Sequence, residues 1–336
     1  MTHPIINAIK TEWGYLGKRR KWFIFYIFLF LIAGIVSLLT PYVIGTIFNS
    51  IQESITTHEE LVVLMKKIAL LLVITVVFWM LHGPARFLET ITGFHVKKNY
   101  VNDKIRMVLK LPVKWHKDNH SGDTIDKINR ASNALEEFSS HMTHDILYGL
   151  ISFFGSIIIL FFIDWRIGLF AFVYALIILF IISRVDKNLE RKYKKLNEYN
   201  NKLSATIFDY LSNVITVITL RLRKTVSKEI ESRQIASYKT FKSSSIINEI
   251  KWGFASVAIQ IMIVISLIYK SYTEFNLTGT ILIGTLYMVY GYLNNVGQTF
   301  YKFAWLYGDV VRANARIIGA NPLDEEYNKL EFPESG

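Results

Sequence analysis

A stripe of hydrogen-bonding side chains runs along one long apolar segment of the sequence. Its members recur three or four residues apart, so they share one face of a helix: Tyr287, Tyr290, Asn294, Gln298 and Tyr301. Amides and phenols are uncharged at neutral pH, and a face built from them favours an amphipathic or lipid-like ligand over a small ion. The stripe therefore predicts a substrate-pathway wall.

A second polar stripe, which drifts around its helix, lies in the preceding apolar segment. It contains Asn248, Trp252, Ser256 and Gln260. Both stripes have a second interpretation, in which amides and phenols hydrogen-bond neighbouring helices and only stabilise their packing. In that interpretation the outermost tyrosines lie at the two membrane interfaces. The sequence leaves both interpretations open.

Residues for catalysis or metal binding are few. His116 and His120 lie near Asp118 and Asp123, but a third well-spaced ligand on a defined scaffold is missing, so no metal site is predicted. The absence of cysteine excludes disulfides, thiolate metal sites and cysteine nucleophiles. No Gly-x-x-x-x-Gly-Lys-Ser/Thr loop is present to hold ATP phosphates. These residues therefore predict no catalytic site.

Six apolar segments must position these side chains. Each approaches the roughly twenty residues that a helix needs to cross a bilayer, and only helices satisfy their own backbone in lipid. The sequence is 51% hydrophobic overall, and this apolar content is concentrated in the segments. We predict an all-α membrane protein with six transmembrane helices, at 22–44, 61–82, 144–163, 165–183, 253–269 and 277–300.

Lysine and arginine are distributed unevenly between these segments. They concentrate before the first segment, between the second and third, and between the fourth and fifth. Basic connections stay in the cytoplasm, so both termini are predicted to be cytoplasmic in a multi-pass protein of the cell (inner) membrane. The net charge of +11 is then a sign of topology, and no nucleic-acid partner is predicted.

The two long basic connections carry apolar residues at helical spacing. They are predicted to continue the membrane helices into the cytoplasm as two hairpins, with the extension of the fourth helix running over 185–218. About thirty extra residues would reach on the order of 45 Å below the bilayer. Each hairpin ends in a tip.

The inner end of the second segment carries a proline and two charges. Arg86 is placed to pair with Glu89 at a spacing of three residues. Pro84 is open to two interpretations, a kinked gate in the helix or an ordinary turn at the membrane interface.

The hairpin tips resemble a known family. Residues 111–125 begin with Leu-Pro and continue through Trp-His to Ser-Gly-Asp-Thr-Ile, which resembles the first cytoplasmic loop of ABC exporter transmembrane domains (the type I exporter, or type IV ABC transporter, fold). Residues 205–218 are similar to the family's second loop, with Asp209 in place of a glutamate and Asn213 in place of a glycine. Residues 313–318 resemble the helix that leads to the ATPase domain.

The resemblance implies a mechanism. In these exporters two six-helix domains pair, exchange their fourth and fifth helices, and rest each tip on a nucleotide-binding domain. The residues implied to contact that domain are Trp115, His116, Phe208, Asp209 and Tyr210. The other interpretation is that these side chains only pack the hairpins against themselves.

The resemblance also implies the domains and partners. Residues 1–21 are expected to be a cytoplasmic N-terminal segment, 22–318 the transmembrane domain, and 319–336 a linker toward a nucleotide-binding domain. ATP and Mg²⁺ are expected at that domain, fused or separate, and no cofactor in this chain. The other expected partners are a second copy or a paralogous half-transporter, and the lipid bilayer.

Three functions are compatible with these patterns. The first is the membrane half of an ATP-driven exporter, which forms the substrate pathway and couples it to nucleotide-binding domains by alternating access. The second is a membrane scaffold or regulator that kept the exporter fold without transport. The third is an unrelated six-span channel or intramembrane enzyme.

Overall fold

The computed structural model describes residues 3–329, apart from the side chain of Ala304. Within that range every regular element is helical, which confirms the all-α prediction. A 3-10 turn at Gly17–Arg19 follows the first helix, and a π-turn at Phe138–Met142 joins the sixth helix to the seventh. The α-helices are α1 Pro4–Tyr15, α2 Arg20–Ser37, α3 Leu39–Gln52, α4 His58–Leu109, α5 Val113–Asp118, α6 Ser121–Glu137, α7 Thr143–Ile163, α8 Trp165–Ser212, α9 Val214–Thr219, α10 Arg223–Ala236, α11 Tyr238–Thr278, α12 Ile283–Ile318 and α13 Asn321–Asn328.

Five helical stretches are long and apolar enough to cross a membrane. In the described part of the chain they are Gly17–Gln52, His58–Leu109, Ser121–Ile163, Trp165–Ser212 and Arg223–Thr278, and they contain the first five predicted spans. Apolar side chains on them face outward, as at Leu72 and Met80, which are 68% and 70% exposed. So much exposed apolar surface requires a lipid environment or another apolar covering.

The sixth predicted span, 277–300, is divided between two helices. Leu277 and Thr278 end α11, and α12 begins only at Ile283, after Gly279 takes a left-handed backbone conformation with φ of 71°. By length and composition α12 is not among the helices apolar enough to span. Its amides and phenols lower its hydropathy, so its crossing of the membrane stays a prediction.

A helix break divides the first span. α2 ends at Ser37 and α3 begins at Leu39, close to Pro41, whose ring nitrogen has no hydrogen to donate to the helix ladder. The Tyr292 hydroxyl donates to the Leu38 carbonyl at 2.8 Å. This hydrogen bond connects the residue between α2 and α3 to α12.

The start of α4 is fixed by a capping box. The Glu60 N–H donates to the Thr57 hydroxyl at 3.2 Å, and the Thr57 N–H donates to the Glu60 carboxylate at 3.0 Å. This reciprocal pair satisfies two backbone donors that a helix start otherwise leaves free.

The chain folds as two compact bodies. The first contains the described residues up to Gly168 and from Leu267 onward, and the second is Leu169–Ser266. The first body has a core of buried residues from α1, α2, α4, α6 and α12, including Ala8, Tyr26, Tyr100, Leu135 and Val310.

The second body is a helical hairpin with charged contacts. The Lys251 ammonium lies 2.9 Å from the Asp186 carboxylate, and the Lys192 ammonium donates to the Ser243 hydroxyl at 2.9 Å. Both contacts join α8 to α11. The predicted helical extension 185–218 is wrong in one respect, because α8 ends at Ser212 and the chain turns at Asn213 before α9.

The described parts of both terminal segments contain a helix. α1 lies within the segment 1–21 and packs against α4 and α12. α13 lies within the predicted linker 319–336, where Leu323 is buried and the Asp324 carboxylate pairs with the Lys104 ammonium. Pro322 is tolerated there because it stands in the first turn of α13. The rest of the predicted linker, 330–336, lies outside the described residues.

Helices α3 and α12 meet through two glycines. A Cβ built on Gly284 would lie 1.8 Å from the Gly45 carbonyl oxygen, and one built on Gly45 would lie 2.6 Å from the Gly284 oxygen. Real side chains do not approach a carbonyl so closely, so only glycine permits this packing. Small residues at such contacts allow helices in lipid to gain van der Waals contact.

We predict that Gly284→Ala destabilises the protein by about 1–3 kcal/mol, because the added methyl group must push α12 away from α3. Gly83→Ala is the matched control, since a Cβ at Gly83 meets no atom within 4 Å. Thermal unfolding in detergent measures both variants. Equal melting temperatures for the two variants would contradict the close glycine contact.

Candidate functional site

A polar pocket lies in the first body beside the break between α2 and α3. Its volume is about 320 Å³. α7 and α12 form the other walls. The polar residues that line it are Ser37, Thr40, Tyr148, Ser152, Asn295, Gln298, Thr299 and Lys302.

One ion pair gives this pocket its charge. The Lys302 ammonium lies 2.7 Å from the Asp145 carboxylate and 5.1 Å from the centre of the Tyr148 ring. The Tyr148 hydroxyl donates to the Ser37 hydroxyl at 3.2 Å. An ammonium balanced by one carboxylate and an aromatic face can bind a polar or anionic group without leaving an isolated charge in the pocket.

Sequence reasoning missed Lys302 and Asp145. Lys302 lies just beyond the predicted sixth span, which stops at 300, and Asp145 is the second residue of the third predicted span, 144–163. A signal was present, because ionisable residues beside apolar spans commonly mark functional positions. Their pairing follows only from the packing of α7 on α12.

The stripe on α12 is only partly gathered at this pocket. Gln298 lines it, with Asn295 beside it. Tyr287 instead contacts the Phe48 ring of α3, at 5.2 Å between ring centres. Tyr290 is exposed, Asn294 is half-buried, and neither lines the pocket. Assignment of the stripe to a substrate pathway stays a prediction.

The stripe on α11 belongs to the second body. Trp252 is half-buried, and the Lys251 ammonium lies 4.6 Å from its ring centre. Gln260 is exposed two turns further along. The sequence pattern did not single out Lys251, which is buried and paired with Asp186.

The first predicted tip is a short helix. α5 carries Trp115, which is half-buried, and His116, which is exposed and lies edge-on to the Trp115 ring at 5.2 Å between ring centres. In the described residues no group of three acidic, histidine or cysteine side chains is arranged to hold a metal.

The second predicted tip also holds a short helix, α9. Phe208 and Asp209 are exposed on the last turns of α8 rather than on α9 itself. The Tyr210 hydroxyl donates to the Glu229 carboxylate of α10, so its hydrogen bond is made within the hairpin. The more prominent apolar side chain is Ile215 of α9, which is 78% exposed.

The part of α4 just after the second predicted span contacts the π-turn through Arg86. The predicted pair of Arg86 with Glu89 is present, and the Arg86 guanidinium also donates to the Ser140 carbonyl at 2.9 Å and lies 2.9 Å from His141 Nδ1. α4 runs without interruption through Pro84. The interpretation of this segment as an interface turn is therefore wrong.

Comparison with known families gives one clear result. Residues 23–296, about four fifths of the chain, match the family model described as ABC transporter transmembrane region. No curated protein matches the chain. The matched region contains both short tip helices and the five apolar stretches, apart from residues 17–22 at the start of the first. This multi-pass membrane protein therefore belongs to the ABC transporter transmembrane region family.

Proposed function

We propose that the chain is the membrane-spanning half of an ATP-driven exporter, which forms the substrate pathway and couples it to nucleotide-binding domains by alternating access. The observation that supports this most directly is the short helix at the end of each cytoplasmic hairpin, α5 and α9. Transmembrane domains of this family pair with nucleotide-binding domains and dimerise. A second copy or a paralogous half-transporter completes the translocation unit.

The lengths of the helices suit coupling over a distance. α4 has 52 residues and α8 has 48. At 1.5 Å per residue, each is about 70–80 Å long, which is more than twice the roughly 30 Å of the hydrocarbon core. With both termini in the cytoplasm, the tips lie well outside the membrane, where an ATPase domain can contact them.

ATP hydrolysis belongs to another domain in this proposal. The chain has no phosphate-binding loop, and residues 297–336 after the matched region are too few for a nucleotide-binding domain. ATP and Mg²⁺ bind at that domain, which is either fused beyond α13 or a separate subunit.

The pocket between α2–α3, α7 and α12 is the proposed substrate contact of this half. Its volume of about 320 Å³ lies within the usual range of small-molecule sites. Amides and hydroxyls bind the polar part of an amphipathic cargo, and the pair of Lys302 with Asp145 provides charge at one edge. An amphipathic or lipid-like molecule fits this combination best.

Cross-linking tests the coupling segments, since the chain has no native cysteine. We predict that the single variants Trp115→Cys and Ile215→Cys cross-link, through a thiol-to-amine reagent, to the nucleotide-binding domain encoded in the same reading frame or the neighbouring gene. Leu277→Cys is the control and should give no product, because Leu277 is 84% exposed at the opposite end of α11.

The absence of product at both tips, with the ATPase domain present and folded, would contradict coupling. A complex that forms but shows no substrate-dependent ATPase activity would favour the scaffold interpretation.

Substitution in the pocket tests the proposed substrate contact. We predict that Gln298→Leu weakens binding of a fluorescent short-chain phospholipid about tenfold, because loss of hydrogen bonds to a polar ligand costs about 1.4 kcal/mol. Fluorescence titration in detergent micelles measures the dissociation constant.

Gln234→Leu makes the same chemical change at an exposed position of α10 and should leave the constant unchanged. Asn294→Leu changes a residue of the α12 stripe that does not line the pocket, so it distinguishes an effect of the pocket from an effect of the stripe as a whole. Equal effects at 298 and 234 would reject the pocket as the binding site.

A further inference from the structure

The N-terminal helix α1 is held against the bundle by one face. Ala8, Glu12 and Leu16 are spaced four residues apart, and all three are buried. The Asn7 amide donates to the Asn314 side-chain oxygen of α12 at 2.7 Å. Trp13 is partly exposed on another face of the helix. α1 is therefore amphipathic, but its buried face carries a carboxyl group.

The carboxyl group of Glu12 has an unusual environment. The residue is 1% exposed, and neither carboxylate oxygen has a hydrogen-bond partner. Among the described residues of the first body, the hydroxyl oxygens of Tyr26, Thr92, Ser139 and Ser156 are also buried without partners. Burial of an ionised carboxylate without a hydrogen bond or a counter-charge is strongly unfavourable, and the usual response is to take up a proton.

The π-turn forms one wall of this environment. The hydroxyls of Ser139 in the turn and Thr143 just after it face the Glu12 carboxyl group without forming a hydrogen bond of good geometry, and each favours its ionised form. Against the same turn, a Cβ built on Gly93 would lie 1.9 Å from the Ser140 hydroxyl oxygen. α4 and the π-turn are thus in direct contact, and single π-turns inside helices are frequent at functional sites.

Glu89, the carboxyl group that interacts with Glu12, has partners of its own. Glu89 of α4 accepts from the Arg86 guanidinium and from the His144 N–H. Burial therefore raises the pKa of Glu12 to about 7, and the two hydroxyls oppose this only in part. Tyr26 of α2 and Glu89 of α4 interact electrostatically with Glu12. Other titratable or charged groups on α4 and α12, the helices packed against α1, include His82, Arg86, His95, Lys97, Lys98, Tyr100, Asp103, Lys104 and Arg106 on α4 and Lys302, Asp309, Arg312 and Arg316 on α12, with His141 and His144 at the π-turn and the start of α7.

We propose that Glu12 is a proton-binding site that fixes the N-terminal helix on the bundle when it is protonated and weakens that docking when it is ionised. The carboxyl O–H bond breaks as α1 leaves, and the proton passes to water. The reverse transfer accompanies docking. Because Asn7 of α1 bonds Asn314 of α12, release removes one contact from the inner end of the helix that leads to α13.

The direction of the pH dependence follows from linkage. Glu12 in a released, solvated helix has the ordinary pKa of 4.5, whereas the docked group has a pKa of about 7. Between these values the docked state holds a proton that the released state has lost. Docking therefore weakens as pH rises through this window, by up to about tenfold per pH unit, and levels above about pH 7.

Cysteine accessibility tests the proposal in the chain reconstituted in nanodiscs. Ala8→Cys reports release, because Ala8 is fully buried, and Ile6→Cys, on the exposed side of α1, corrects for the ionisation of the thiol itself. We expect the maleimide labelling rate at position 8, divided by the rate at position 6, to rise between pH 5.5 and 7 and then to level. Ala171→Cys, fully buried in the second body, should stay protected throughout.

The Glu12→Gln variant cannot ionise at this position. We expect its labelling ratio to stay low and independent of pH. A pH-independent ratio with native Glu12, or an unchanged slope in Glu12→Gln, would overturn the proposal.

A second pair of variants keeps the test valid even where Glu12→Gln fails to fold. Ser139→Ala removes a hydroxyl that favours the ionised carboxyl group of Glu12. The midpoint of the labelling ratio against pH should therefore move to higher pH. Ser156→Ala removes an equally buried serine hydroxyl, also without a partner, on α7 and should leave the midpoint in place. Equal midpoints for the two serine variants would count against Glu12 as the proton site.

Discussion

Hydrocarbon offers no hydrogen bond to a peptide group, and the rest of this structure depends on that constraint. It requires long helices wherever the chain meets lipid, and it requires polar side chains among those helices to bond one another. Tyr292 bonds the Leu38 carbonyl, and Lys302 pairs with Asp145. The same groups that satisfy this requirement also form or adjoin the polar pocket, so the packing of the helices and the polarity of the pocket have a common origin.

Packing in the membrane has to proceed with little hydrophobic driving force, since lipid tails are as apolar as leucine. Close contact between helices then becomes the main source of attraction. α3 and α12 achieve it through Gly45 and Gly284. Beyond the ends of the predicted spans, α4 meets the π-turn in a similarly close contact at Gly93. These contacts hold α12 near the pocket, and they hold the π-turn beside Glu12.

Much of the fold could be predicted from the sequence, because a membrane span is a local pattern. The helical class, five of the apolar spans and the two helical hairpins follow from composition and periodicity. The boundary between α11 and α12 was missed because Leu277, Ile281 and Leu282 are as apolar as a helix interior, while the turn depends on the backbone of Gly279.

The candidate sites were harder to predict, because they depend on contacts between distant segments. Gln298 could be identified from its spacing, but the α7 residues that line the same pocket could not. Glu12 stands in a polar, basic stretch that gives no sign of burial, and only the docking of α1 removes it from water. At the second tip, the pairing of Tyr210 with Glu229 likewise required the return of α10 along α8.

The break between α2 and α3 has a consequence for the pocket that it adjoins. Leu38 and Pro41 stand in its wall, at a point where the helical hydrogen-bond ladder is already interrupted. Bending there changes the width of the pocket at a lower energetic cost than bending an intact helix would require. As the proposed substrate contact, a cavity with one compliant wall and a fixed ion pair would discriminate poorly between molecules of different size and better between molecules of different polarity.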